Sequence, residues 1–449
     1  MHKILNSKNI KIISNESNDY VYYAPTGLIL KISNNEFADF IKRAENDKVT
    51  SKNKNDKFFI ELINDAIESS GIATFRSATN ELKSIILNIS GSCNLRCAYC
   101  FARQNGNFNF SNMSVEQGLK IIDFAVNKNT LVKTFDICFF GGEPMLMFKT
   151  MKELVETIEE QHKEIKFSYS ITTNGTVVSE EIIDFFKKYN FSLLVSFDGL
   201  TNNRPFSDGE SSTNQVLSNI DKLIKADISV MLRPTITSDS TEICETFRFF
   251  ENLKIPFAFA FAYNSVNKEH NLSNYSQKEL QSIDNQLNEL IKYYEDIICN
   301  DKICYCQTII ESLSDIHFRI LNPLACAAGF SSFTINADGS IYTCQHFANN
   351  INDACGDIEN GIDETKKLKF RSPFLKDIKE CQSCWVRYLC GGCCFAEKYA
   401  HNGNALKNIP EKCELEKIKY EKFLLLLQKI KDRKPNFLNK LKKKYEITN

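Results

Sequence analysis

A chain of 449 residues is two to three typical domain lengths, so more than one domain and at least one large core are expected. Apolar residues at 43% and charged residues at 25% are ordinary globular values, and no run of eighteen apolar residues or charged-then-apolar leader opens the chain, so a soluble, cytoplasmic protein is expected. Lys+Arg 55 against Asp+Glu 56 gives a net charge of −1 and no global field for nucleic acid or membrane, although Glu414 to Asn449 is locally basic.

In chain order, Ile10 to Ser14 and Tyr20 to Ser33 look β-like, the second broken by a turn at Ala24-Pro25-Thr26-Gly27. Helices follow at Asn35 to Glu45 and Lys57 to Ser69, which makes residues 1–82 a small α+β module. From Lys83 strand and helix alternate. Strands are expected at Ser84 to Ile89, Thr134 to Phe140, Lys166 to Thr172, Phe191 to Phe197, Ile228 to Thr235 and Ile255 to Ala262. Between them, helical patterns occupy Ser114 to Lys128, Phe148 to Lys163, Ser179 to Lys188, Thr213 to Lys225 and Ser240 to Asn252. Apolar strands separated by single helices imply a parallel sheet, and six such units predict an α/β fold, a partial (β/α)6 barrel over residues 83–268. Helices at Gln277 to Ile298 and Gln307 to Leu321 form a helical linker, 269–320. Regular patterns are short and Cys dominates from 321 to 413, so metal rather than a large apolar core is expected to organise this domain. Residues 414–449 read as a basic amphipathic helix interrupted at Pro435, most simply a solvated face with one apolar stripe packed down.

Cysteine is the extreme number: seventeen, an odd count in a chain read as cytosolic, where structural disulfides are rare. Metal ligation is the leading explanation. Cys93, Cys97 and Cys100 follow the first barrel strand at spacings x3 and x2, with no fourth Cys nearby. Three thiolates suit a [4Fe–4S] cluster with one iron left open, whereas structural zinc wants four closed ligands; zinc and unrelated thiols are the alternatives. Ligands just past the C-terminal end of a barrel strand sit where such folds keep their active sites.

These residues, with aromatic Tyr99 before the last Cys, resemble the triad of the radical S-adenosylmethionine (SAM) enzymes. Phe139-Phe140-Gly141-Gly142-Glu143-Pro144 after the second strand is similar to the family's GGEP motif, and Thr173-Asn174-Gly175-Thr176 and Ser196-Phe197-Asp198-Gly199 look like family segments ending the third and fourth strands. The resemblance implies that Gly141, Gly142 and Glu143 hold the amino group of the SAM methionine, that Ser196 and Arg204 hold its carboxylate, and that Tyr99 and Asn174 line the cofactor site. Arg204 comes about four residues earlier than in relatives, and Arg233 is the fallback cation.

Cys326, Cys344, Cys381-x2-Cys384-x5-Cys390-x3-Cys394 and Cys413 are similar to the SPASM extension of peptide-modifying radical SAM enzymes. That resemblance assigns Cys381, Cys384, Cys390 and Cys413 to an outer auxiliary cluster and Cys326, Cys344 and Cys394 to an inner one, three [4Fe–4S] clusters in all. A zinc ribbon built on Cys381, Cys384, Cys390 and Cys394 is the alternative. The inner set is one thiolate short. Cys355, Cys393, Cys306 or a substrate thiolate could fill it, and Cys393 could equally be a small residue in the Gly391-Gly392-Cys393-Cys394 turn.

The likeness is greatest to thioether-forming, six-cysteine-type maturases, which begin with a peptide-recognition module. It implies a precursor peptide with a leader and a Cys-containing core, an electron donor of the flavodoxin or ferredoxin class, and neither nucleic-acid nor membrane partners. Sulfatase-maturing enzymes place a general-base Asp immediately after the Cys corresponding to Cys344, where this chain has Gln345. A maturase making carbon–carbon or carbon–oxygen crosslinks remains the other alternative. A redox carrier would not need the Gly141 to Glu143 segment.

Overall fold

The computed structural model describes residues 9–437 apart from 15–17, 33, 46–48, 50–52, 70–72, 77–78, 104–107, 129–132, 202, 239, 241 and 263–274. At the N-terminus β1 (Ile10–Ser14), β2 (Asp19–Tyr23) and β3 (Leu28–Lys31) form an antiparallel sheet in that order, flanked by α1 (Asn35–Glu45) and α2 (Lys54–Ser69). Val21, Phe37, Phe40, Ile41, Phe59 and Ile63 give this module its own core. Successive strand residues face opposite ways, so Ile13 and Tyr22 leave that core and enter the main one. A short strand β4 (Thr74–Phe75) follows.

Five expected strands form one parallel array in sequence order: β5 (Ser84–Ser90), β6 (Thr134–Gly141), β7 (Lys166–Thr173), β8 (Ser192–Ser196) and β9 (Ser229–Arg233). Helices α3 (Val115–Asn127), α4 (Phe148–Gln161), α5 (Glu180–Lys188), α6 (Thr213–Lys225) and α7 (Ile243–Leu253) alternate with them. Helix α3 starts where Ser114 and Gln117 cap each other reciprocally. Ile85, Leu87, Ile89, Ile137, Val195 and Leu232 pack in the buried core beneath the helices. The alternate residues, among them Asn88, Phe140, Thr172, Ser196 and Arg233, therefore occupy the opposite face.

The last expected strand is present but fragmented. Leu232 donates its N–H to Pro256, Ala258 to Leu232, Ala260 to Pro234 and Ala262 to Ile236, a regular parallel ladder. Pro234 and Pro256 have no N–H to add, so regular pairing is confined to β10 (Thr235–Ile236) with β11 (Ala260–Phe261).

Helices α8 (Gln277–Cys299) and α9 (Gln307–His317) are more than a linker, because Leu287, Leu290, Ile309 and Leu313 enter the main core. Next, β12 (Ile320–Leu321) pairs with β4. The Cys-rich region also departs from expectation. Its strand β13 (Ser332–Asn336) lies parallel to β5, and β14 (Ser340–Tyr342), β15 (Gly356–Asp357) and β16 (Gly361–Ile362) extend the sheet antiparallel. Phe333, Ile335 and Ile341 share the main core, so this region's strands are held by apolar burial as well as by whatever its thiols bind. Short helices α10 (Glu364–Phe370), α11 (Arg387–Cys390) and α12 (Phe395–Asn402) carry the rest.

The basic tail helix, α13 (Pro410–Arg433), begins earlier than expected, with Cys413 in its first turn, and ends just before Pro435. It is buried more widely than a single stripe: Leu415, Phe423, Leu424, Leu426, Leu427 and Ile430 pack inward. Lys422 pairs with Asp284, and Lys429 with Glu295. Residues 438–449 lie outside the described residues. Among the described residues no helix is long and apolar enough to cross a membrane.

Candidate active site

The loop bearing Cys93, Cys97 and Cys100 leaves the C-terminal end of β5 and is clasped by the turn after β6. Gly142 N donates to Ser90 O and Glu143 N to Ser92 O, both at 2.7 Å. A Cβ on Gly141 would lie 2.4 Å from Ser90 O, and one on Gly142 2.2 Å from Ser92 O. Gly141 also has φ +127°, where a side chain is strained. Both glycines are thus required by backbone packed on backbone, without appeal to a ligand.

Glu143 is almost wholly buried. Its Oε1 accepts from Met145 N at 3.0 Å and Thr173 Oγ1 at 2.6 Å, and its Oε2 from Asn174 N at 2.6 Å. Burial raises its pKa and these three donors oppose the rise. Asn174 Nδ2 donates to Asn94 Oδ1 at 2.8 Å and reaches Cys93 Sγ at 3.7 Å, so the end of β7 is tied directly to the Cys loop.

The three thiols are one group. Burial raises the Cys93 pKa, opposed by Leu95 N–H and the Asn174 amide, and pushes Cys97 up to about 11. Cys93 and Cys100 lie near enough to raise Cys97 further, while Arg204 lowers it. Arg204 Nη1 donates to Tyr99 Oη at 2.7 Å, and the Tyr99 hydroxyl donates to Asp198. Asp198 also accepts from Thr235 N at 2.9 Å. Burial disfavours the Arg204 charge, but Cys97, Tyr99 and Asp198 hold its pKa above the ordinary value. Asp198 joins the site although its sequence neighbours drew more notice; its signal was the Ser196-Phe197-Asp198-Gly199 segment itself.

Ser196 and Arg233 pair across β8 and β9 on the helix-free face. Burial lowers the Arg233 pKa. From the Cys-rich region, His346 lays its ring against Phe101, centroids 3.9 Å apart, and Phe101 also stacks on Phe140.

Eight of the remaining thiols fall into two further groups. Cys326, Cys344 and Cys394 act on one another: Cys326 and Cys394 both raise Cys344, and Cys326 raises Cys394, after burial as the first cause. Cys381, Cys384, Cys390 and Cys413 line a cavity of about 870 Å³. Cys393 lines the same cavity as this second group and shares a smaller one with Cys394. Cys355 is fully buried in the apolar core, with Lys367, Asp363 and Glu364 as its charged neighbours. Cys306 belongs to a knot around Glu251, whose carboxylate accepts from Tyr305 N, Cys306 N and Tyr294 Oη. Among the described residues no three His, Cys, Asp or Glu side chains close around a single-ion site.

A comparison with family models matches residues 87–249 to the Radical SAM superfamily. The chain is 24% identical over 379 residues to "Radical SAM cyclopropyl synthase TigE" of Paramaledivibacter caminithermalis, covering 79% of this chain and 75% of that protein. It is 28% identical over 285 residues to the "Cysteine-type anaerobic sulfatase-maturating enzyme" of Clostridium novyi, 59% of this chain and 74% of that one. Among solved structures, "Native anSMEcpe with bound AdoMet" superposes with a TM-score of 0.65 at 20% identity, over 78% of this chain and all of that one. SuiB of Streptococcus suis, solved bound to its precursor peptide SuiA, gives 0.51 at 16% identity, over 90% of this chain and 98% of that one. Residues 87–249 are accordingly a radical SAM domain, and that family implies a [4Fe–4S] cluster and S-adenosylmethionine.

Proposed function

We propose that this protein is a peptide maturase that forms Cys thioether crosslinks in a ribosomally made precursor. The single observation that carries the reading is the sorting of ten spaced thiols into three groups: Cys93/Cys97/Cys100, Cys326/Cys344/Cys394, and Cys381/Cys384/Cys390/Cys413. Soft thiolate sets with low-complexity spacing suit three [4Fe–4S] clusters, and the face of the sheet away from the helices would be the inner wall of a partial barrel.

Cys93, Cys97 and Cys100 would hold the cluster, which when bound and reduced would supply the electron for cleaving SAM to methionine and a 5′-deoxyadenosyl radical. The chain's own residues orient and enclose. Glu143, anchored by three donors, would offer its remaining lone pair to the methionine ammonium, and Arg204 and Ser196 would hold the carboxylate, with Arg233 the reserve cation on the same face. Phe101, Phe140 and His346 would wall the chamber against water. The 5′-deoxyadenosyl radical would take one hydrogen atom from a peptide carbon to give 5′-deoxyadenosine, and carbon–sulfur bond formation would release the Cys thiol proton to solvent and one electron to an oxidised iron–sulfur cluster, leaving a product two hydrogens lighter per crosslink.

Gln345 next to Cys344 supports crosslinking over formylglycine formation, because it offers an amide where proton abstraction needs a base. The three-thiol group supports it too, since a substrate Cys is the residue type that would complete it. A second reading, sulfatase maturation, draws on the Clostridium novyi relative.

Anaerobic reconstitution should give about twelve iron per chain, and replacing Cys93, Cys97 and Cys100 by Ala should remove about four and abolish SAM cleavage. Stoichiometric zinc with little iron sinks the reading. Co-expression with a short Cys-rich peptide encoded beside the gene should yield a product about two hydrogens lighter per bond that resists alkylation at one Cys; formylglycine in that product would favour the second reading.

A further inference from the structure

The cavity of about 870 Å³ is lined by five thiols, Cys381, Cys384, Cys390, Cys393 and Cys413, although a cubane takes four protein ligands. The fifth is aimed there by the backbone. Gly391, Gly392 and Cys393 have φ of +68°, +98° and +60°, three left-handed residues in succession. For a non-glycine residue that conformation is unfavourable. Cys393 lines this cavity with Cys390 and Cys413 and its neighbour Cys394 does not, although the two share a second, smaller cavity. Cys381, Cys384, Cys390 and Cys393 also lie within thirteen consecutive residues, whereas Cys413 is brought in from α13.

We propose that Cys393 is an interchangeable ligand of the outer cluster, able to replace Cys413 so that the segment 381–393 alone can hold four irons. This rests on the reading that the outer thiols bind a cluster. The exchange is not redox: one iron–sulfur bond to Cys413 breaks, one to Cys393 forms, and the Cys393 thiol proton passes to the released Cys413 sulfur. Whichever thiol is displaced stays in the cavity as a hydrogen-bond donor to ligated sulfur, and such donors shift a cluster's potential.

The test counts iron and acid-labile sulfide in the full chain after anaerobic reconstitution. Cys393→Ala and Cys413→Ala should each retain the wild-type count, about twelve, and the double variant should fall by about four. Cys393→Ala should also shift the midpoint potential of one auxiliary cluster, a change visible by redox-poised electron paramagnetic resonance. Loss of about four iron from Cys413→Ala alone, with native circular dichroism, overturns the exchange. Cys413→Ser guards against misfolding of the Ala variant and must retain iron as well. A wild type with no more than about eight iron overturns the outer-cluster reading itself, and this proposal falls with it.

Discussion

Glu143 shows how a motif residue can serve structure and chemistry at once. The GGEP segment was legible from its residues and position, but the reason for its glycines was not. Beside the ligand approach that the resemblance implies, the structure shows contact with the Ser90 and Ser92 carbonyls. Sequence cannot reveal which backbone crosses which. Because Glu143 accepts three hydrogen bonds in a buried setting, Glu143→Gln turns one accepting oxygen into an NH2 that faces a donor. We expect about 1–3 kcal/mol of lost stability in urea unfolding, together with weaker SAM binding by calorimetry. Unchanged urea midpoints would show that the carboxylate does not brace the turn. His346 makes a pH prediction. Burial lowers its pKa from 6.5 to about 3, so the unfolded chain binds a proton that the folded chain refuses between those values. Stability from this residue is complete above pH 6.5 and is lost as pH falls toward 3. Between pH 7 and pH 4.5 it should account for about 2–3 kcal/mol. His346→Leu should lose less stability than wild type over that range, and equal losses would remove His346 from the acid response.

At the scale of elements, most of the parallel core was legible because buried strands and capped helices announce themselves locally. Apolar runs as short and as rich in β-branched or aromatic residues as Ser84 to Ile89 or Phe191 to Phe197 favour a strand over a helix, and Ser114 with Gln117 marks a helix start from four residues. The strand β13 escaped notice because it is five residues long within a Cys-rich segment. Its partner β5 lies 248 positions away, and nothing local encodes that pairing. Helix α13 was misjudged for a similar reason: its lysines look solvated, yet several meet acids from other elements. Lys412 and Glu397 are both buried, 3.0 Å apart, and Lys412 also donates to Ala262 O at the end of the fragmented sixth strand. Removing one partner strands the other charge in the interior. Lys412→Met should therefore cost about 3–5 kcal/mol, whereas the double variant with Glu397→Leu should recover much of that loss. Chemical denaturation of all three proteins decides it: if the double variant is as unstable as the sum of the singles, the pair is not coupled.

Across the whole molecule, the N-terminal module is bound to the rest at several points. Tyr22 meets Trp385 edge-on, Lys11 pairs with Glu421 at 2.7 Å, and Tyr20 Oη donates to Asp432 at 2.8 Å. These contacts set β1 beside α13, and among the described residues β3 pairs only with β2. Among the described residues one edge of the small sheet thus has no strand partner, while the module is held against the thiol-bearing domain. An open edge recognises an extended peptide through main-chain hydrogen bonds, which suits a precursor leader. Deleting the module would expose the core that Ile13 and Tyr22 enter, so a point change is the sharper test. Ile32 N bonds inward to Asp19 O, and antiparallel alternation then directs the N–H of Lys31 outward. Lys31→Pro deletes that outward donor without removing a ladder bond, a change that edge strands tolerate. We expect thermal unfolding within about 2 °C of wild type, since surface changes of this kind are small. Leader-peptide affinity by fluorescence anisotropy should fall about tenfold, the worth of one to two main-chain bonds. SAM cleavage without peptide should continue at the wild-type rate. Wild-type leader affinity in a folded Lys31→Pro protein would mean that the open edge is not where the precursor is read.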